Sequence, residues 1–130
     1  MKKYLILYFI TILSISLISG CSSNKNESIK IYKSVNFSEI KKDSMKKITE
    51  LKDIELFSTA FNSASKNQGI KDMASPNYKV KLGKKTFYLW INNDSGVIMD
   101  ASDTHTTYSI NENLVKDINE VINNLYMNKE

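Results

Sequence analysis

Six consecutive residues, Thr86-Phe87-Tyr88-Leu89-Trp90-Ile91, place the tightest constraint on the fold. A strand sends alternate side chains to opposite faces, so a run that is apolar or aromatic at both odd and even positions needs cover on both sides. Thr86 to Ile91 is therefore expected as the central strand of a sheet. Its neighbours follow from the flanking pattern. Upstream, Tyr78, Val80 and Leu82 alternate with Lys79 and Lys81, giving one buried and one solvated face, and Gly83-Lys84 turns the chain between the two strands. Downstream, Asn92-Asn93-Asp94-Ser95-Gly96 is a dense turn signal before a short strand, Val97-Ile98-Met99. Asp100 to Asp103 reads as a loop, and Thr104 to Tyr108 as a β-branched and aromatic strand.

The first part of the domain is patterned less sharply. Ile29, Ile31 and Val35 suggest a strand from about Ile29 to Val35, with Asn36 to Ser44 a loop and Met45 to Leu51 a second strand carrying Ile48. Phe37, Ile40 and Ile48 also fit helical spacing, so both readings stand here. Asp53 is the expected N-cap of a helix running to about Asn67, with Ile54, Phe57, Ala60, Phe61 and Ala64 on one apolar stripe and Gly69 as the stop. Pro76, the chain's one proline, marks the change from helix to strand. Ser109 and Glu112 form a capping box opening a last helix, whose Ile110, Leu114, Ile118, Val121, Ile122 and Leu125 share a side. Its other side carries Asn113, Asp117, Glu120 and Asn124. Two one-sided helices and about six short strands predict an α+β fold, a two-layer arrangement with both helices packed on one face of an antiparallel sheet, in the order β-β-α-β-β-β-β-α.

Before the domain comes a segment of different character. Lys2 and Lys3 precede Tyr4 to Ile18, which carries no charge and is interrupted only by Thr11, Ser14 and Ser16. As a helix it would reach roughly 23 Å, short of the roughly 30 Å hydrocarbon core, so it reads as the apolar region of a signal peptide. Leu17-Ile18-Ser19-Gly20-Cys21 resembles the lipobox of bacterial lipoproteins. That resemblance implies cleavage between Gly20 and Cys21 and a diacylglycerol thioether on Cys21, the only lipid or cofactor the chain calls for. An uncleaved N-terminal anchor is the other reading, and both place the domain outside the cytoplasm, held to the membrane. The expected organisation is a signal peptide over 1–20, a flexible tether over 21–28 (polar and aperiodic after the cysteine) and one domain over 29–130.

Composition narrows the function classes. Of 130 residues, 110 remain after the leader, enough for one compact domain. All 18 basic residues are lysine. Setting aside Lys2 and Lys3 leaves 16 against 14 acidic residues, a charge of about +2, so nucleic acid is not an expected partner. The absence of arginine removes the side chain best suited to bidentate phosphate and base contacts. Cys21 is the only cysteine, which leaves no intrachain disulfide, cysteine zinc site or thiol catalysis once it carries lipid.

A second resemblance rests on Ala60-Phe61 with Gly69-Ile70, Ser75-Pro76-Asn77-Tyr78, Tyr88-Leu89-Trp90-Ile91, Ser95-Gly96-Val97-Ile98-Met99 and Asp103-Thr104-His105-Thr106-Thr107-Tyr108. Together these are similar to the YhfM-like domain of small Gram-positive lipoproteins, over the back two thirds of the mature chain. The resemblance implies a lipid-anchored extracytoplasmic domain and brings no catalytic residues with it.

Two constellations qualify as candidate sites. Tyr88 and Trp90 are read as pointing to opposite faces of the central strand, which leaves one ring on the open side as an anchor for an envelope protein or other partner. Asp94, Asp100, Asp103 and His105, the last the only histidine, sit in loops that can gather carboxylates and an imidazole around a small ligand or metal. Turn-making and local hydrogen bonding account for the same residues more simply. A calcium loop beginning at Asp100 fails, because its sixth position is His105 and its twelfth Asn111. Lys79, Lys81, Lys84 and Lys85 form one basic patch and Lys41, Lys42, Lys46 and Lys47 another, suited to anionic headgroups or simply to solvent. There is no Gly-x-Ser-x-Gly elbow and no phosphate-cradling glycine loop, so an enzyme is not expected. The expected function is a non-enzymatic binding module, with a ligand- or metal-binding lipoprotein as the alternative.

Overall fold

The computed structural model describes residues 28–69 and 72–128. Cys21, Gly20 and the expected leader lie outside the described residues, as does nearly all of the tether. The described chain forms β1 (Ile29–Lys33), β2 (Lys46–Ile48), α1 (Leu51–Asn62), β3 (Ser65–Lys66), β4 (Tyr78–Leu82), β5 (Lys85–Ile91), β6 (Gly96–Asp100), β7 (Tyr108–Ser109) and α2 (Glu112–Met127). The strands make one sheet in the order β2-β1-β4-β5-β6-β7-β3, with every pairing antiparallel. β5 is the middle strand, as its two apolar faces require.

The core lies between the sheet and the helix pair. Ile29 and Ile31 of β1, Val80 of β4, Leu89 of β5 and Ile98 of β6 alternate inward to meet Phe57, Ala60 and Phe61 of α1 and Val115, Ile118 and Ile122 of α2. Both helices thus cover the same face of an α+β domain. Phe61 carries the packing from α1 to the central strand: its ring meets Phe57 at 5.9 Å and Phe87 edge-on at 5.1 Å. Gly96 is fixed by close approach, since a Cβ there would stand 3.2 Å from both Ile110 Cδ1 and Val115 Cγ2. The turn between β4 and β5 has Gly83 at φ 60°, a left-handed backbone that glycine adopts without steric cost.

Several boundaries differ from expectation, each for a local reason. Helix α1 starts at Leu51, so Asp53 belongs to its first turn; the N-cap is Glu50, whose side chain makes no capping bond. The helix also ends earlier, at Asn62, where the Ser63 hydroxyl donates to the Thr59 carbonyl at 2.7 Å. The chain then forms β3, a strand with no apolar alternation. Its end is secured by Asn67, whose amide donates to Thr107 Oγ1 at 3.0 Å while its Oδ1 accepts the Ser109 hydroxyl at 2.8 Å. Ser109 itself is part of β7, two residues ahead of the N-cap position, and does not cap α2. Asn111 does, accepting the Asn113 N–H at 3.0 Å, so Ile110 precedes the helix and plugs the core from its entry loop. The strand expected over Thr104 to Tyr108 is mostly turn; only Tyr108 and Ser109 pair, with Ile98 and Val97.

Candidate functional site

Tyr88 and Trp90 lie on the same face of β5, which corrects the expectation that they diverge. They are two residues apart, one full period of a strand, and the register confirms it: Tyr88 stands opposite Lys79 and Met99, while Phe87 and Leu89 point to the helices. Both rings therefore belong to the sheet face away from the helices. They are half-buried because a loop folds over them.

That loop, residues 34–45 between β1 and β2, is a compact fold-back. Lys41 N–H donates to the Lys33 carbonyl at 2.8 Å and Val35 N–H to the Glu39 carbonyl at 2.9 Å, while Asn36 Oδ1 accepts the N–H groups of Ser38 and Glu39, both at 2.8 Å. Asp43 completes the reversal at φ 57°, a left-handed conformation that Asp tolerates better than most residues. At the turn, Phe37 sits edge-on to Tyr88 at 5.3 Å and tilted against Trp90 at 5.9 Å. The Tyr88 hydroxyl donates to the Phe37 carbonyl at 3.0 Å, and Trp90 Nε1 donates to the Ala74 carbonyl at 2.8 Å. The two polar handles thus pin one loop on each side, and ring surface is what they leave for contact.

Beside this aromatic half the open face is basic. Lys30 of β1 stands directly opposite Lys47 of β2 and Lys81 of β4, all three exposed. The Lys79 ammonium lies 5.4 Å from the Tyr88 ring centre and that of Lys81 lies 5.9 Å from Tyr32. This row joins lysines from three distant stretches of sequence. The basic patches read from the sequence divide differently: Lys79 and Lys81 belong to the open face with Lys47, while Lys46 and Lys85 share the helix-side parity of their strands.

The carboxylate and histidine candidates do not converge as one group. Asp94 precedes β6 and Asp100 ends it, so the strand separates them by roughly 15–20 Å at about 3.4 Å per residue. The turn holding Asp94 is built by Asn92, whose Oδ1 accepts the N–H groups of Asp94 and Ser95 at 2.9 and 2.8 Å. Asp100 accepts the Ser102 N–H at 2.8 Å and the Ser102 hydroxyl at 2.6 Å; these bonds, with help from the Lys85 charge, hold its carboxyl below the usual range. Asp103 accepts the His105 N–H at 3.2 Å. Among the described residues no three His, Cys, Asp or Glu side chains are grouped to hold a metal ion. Between the outer surfaces of α1 and α2 runs a solvent-open groove of about 910 Å³, with Lys52, Asp53, Asp117 and Glu120 along its rims and Leu56 and Val121 within.

Tyr126, which periodicity did not single out, braces the helix-side face of the sheet together with Tyr78. Tyr126 of α2 stacks on Tyr78 of β4 at 5.9 Å and 26°, lies under the Lys33 ammonium at 4.4 Å, and donates its hydroxyl to the Ser44 carbonyl at 2.8 Å. Burial, and secondarily the Tyr78 phenol, push its pKa up to about 12.

Among the described residues no helix is long and apolar enough to cross a membrane. No curated protein and no solved structure matches the chain. The model of one family, described as YhfM protein, matches residues 23–127. That span takes in every strand and helix described above, and the chain belongs to the YhfM family.

Proposed function

We propose that the chain is a lipid-anchored extracytoplasmic lipoprotein, without enzymatic activity, that engages a component of the cell envelope through the sheet face opposite its helices. The observation that carries this reading is the composition of that face: half-buried aromatic rings whose polar atoms are already satisfied, beside a row of exposed lysines. The family match supports the division of the chain, since it begins at residue 23, just past Cys21, and leaves the apolar leader outside the domain. Attachment rests on the lipobox resemblance, and two acyl chains on Cys21 suffice for stable anchoring where one is marginal.

Lysine footprinting tests this reading without presupposing the partner. Intact cells carrying the full chain are treated with an impermeant amine-reactive reagent, and modification is compared with that of the purified protein. Lys30, Lys47 and Lys81 are expected to be protected in cells relative to Lys52 and Lys116 of the helix layer, with protection lost in Cys21→Ala. Equal reactivity of the two sets in cells refutes the proposal.

A further inference from the structure

The open face divides into two halves. Over β5 the aromatic rings are roofed by Phe37, whereas over β2, β1 and β4 the row Lys47, Lys30, Lys81 stands bare. Adjacent strands are about 4.7–4.9 Å apart, so the three side chains rise from a line roughly 10 Å long. Like charges directly opposite one another destabilise a sheet, and here the repulsion occurs twice in succession. No open-face strand position among the described residues holds Asp or Glu: Asp100 pairs with Phe87 and so has the helix-side parity. In the loop between β1 and β2, the Glu39 carboxylate accepts the Asn36 amide at 3.1 Å. The fold thus carries a local conflict that its own residues leave standing, the kind expected where a surface serves something outside the molecule.

We infer that this lysine row is a docking surface for an anionic lipid bilayer, resting on the headgroups while Cys21 holds the chain in place. The inference rests on the lipid anchor proposed above and names the envelope component that the open face engages. Charge sign and position favour lipid. The register sets its three lysines side by side on one outward face, matching a membrane surface better than a narrow groove. Lys30 is the second residue of β1, the strand that the tether enters. Residues 22–29 reach at most about 29 Å at 3.3–3.6 Å each, so the anchor keeps headgroups at high effective concentration beside the row.

Trp90, the only tryptophan in the chain, lies on this same face and reports on docking. The full-length lipidated protein is reconstituted into phosphatidylcholine vesicles with and without phosphatidylglycerol, both containing a headgroup spin-labelled lipid. Quenching of Trp90 is expected to be stronger with phosphatidylglycerol and to fall back at about 1 M salt, where the Debye length is about 3 Å. Lys30→Gln, Lys47→Gln and Lys81→Gln together should lower the ratio of docked to undocked protein by at least roughly 100-fold. The triple variant should fold with no loss of Tm, because it removes repulsion. Equal quenching in both vesicle types, or quenching indifferent to the triple variant, overturns the inference while leaving the anchor intact. A protein that floats with neither vesicle refutes the anchor and the inference with it. A Trp90 response to soluble polyphosphate but not to anionic lipid assigns the row to a polyanion and overturns it as well.

Discussion

Tyr126→Phe removes one oxygen and leaves the ring stacked on Tyr78 and under Lys33, so its effect isolates what the hydroxyl does, chiefly its 2.8 Å bond to the Ser44 carbonyl with a longer 3.4 Å contact to the Ile31 carbonyl. At neutral pH that bond is worth about 1 kcal/mol, the usual net value for a neutral hydrogen bond. The pH dependence sharpens the test. The folded-state pKa of about 12 lies above the ordinary phenol value of 10.0. A group whose pKa rises on folding contributes fully below its unfolded value and loses that contribution as pH climbs towards the folded one. The displacement corresponds to about 2.7 kcal/mol for a wholly enclosed group, and solvent at this half-buried ring lowers it to about 1 kcal/mol. Urea unfolding of wild type and Tyr126→Phe at matched pH values should therefore give a stability gap of about 1 kcal/mol from pH 7 to 9 that closes between pH 10 and 12. Comparing the two proteins at each pH cancels the titration of lysines common to both. A gap that stays constant or widens above pH 10 refutes the assignment of the raised pKa to a buried, hydrogen-bonded Tyr126.

Three further perturbations probe other parts of the fold. Leu89→Ala opens a cavity under the middle strand, where Leu89 is 0% exposed, and should cost about 2–5 kcal/mol by urea denaturation. Asn67→Ala breaks both side-chain bonds at the β3 edge and should cost about 1–2 kcal/mol, with faster amide exchange confined to Lys66 and its β7 partners. Asp100→Asn should flatten the acid limb of the stability curve: a carboxyl lowered by its Ser102 bonds stabilises above its unfolded pKa and loses that contribution as pH falls through the folded one, which pH titration of Tm measures.

The features legible in the sequence were those whose cause is a repeating burial pattern. β5 declares itself because Phe87 and Leu89 face the helices while Tyr88 and Trp90 face away, and the two helices declare themselves by their stripes, although the first stripe, read on to Ala64, overruns the helix end at Asn62. Pairings made by polar side chains were not legible. Ser65 and Lys66 pair with β7 where Asn67 reaches Thr107 and Ser109 across the edge, and neither the spacing nor the composition of Ser65-Lys66 announces that contact. The same strand edge explains the misplaced capping box. Ser109 and Glu112 have the spacing, but Ser109 is held in β7 opposite Val97 and Ser65, so the helix starts only at Glu112 and Asn111 caps it. Leu51 concealed the start of α1, since an apolar residue at a helix entrance that remains 67% exposed adds nothing to the buried stripe.

The candidate surface was half legible for a related reason. Strand period alone puts Tyr88 and Trp90 on one face, so their divergence was an error of parity. The loop that roofs them could not be read from β5, because Phe37 reaches the rings from 51 residues away through the bond its carbonyl accepts from Tyr88. The lysine row is likewise a product of register: Lys30, Lys47 and Lys81 fall in line only once β1 is set between β2 and β4. This order gives the two halves of the open face different roles. Over β5 the rings bind the protein's own loops and stiffen the face, while over β1 the charges have no such occupant and face outward on the strand that the tether enters. A partner that displaced Phe37 would have to break the Tyr88 bond and two aromatic contacts, whereas a partner on the lysine row displaces only water and relieves a repulsion. Binding therefore favours the basic half, and substitutions there should change association while leaving the aromatic half, and the fold it supports, in place.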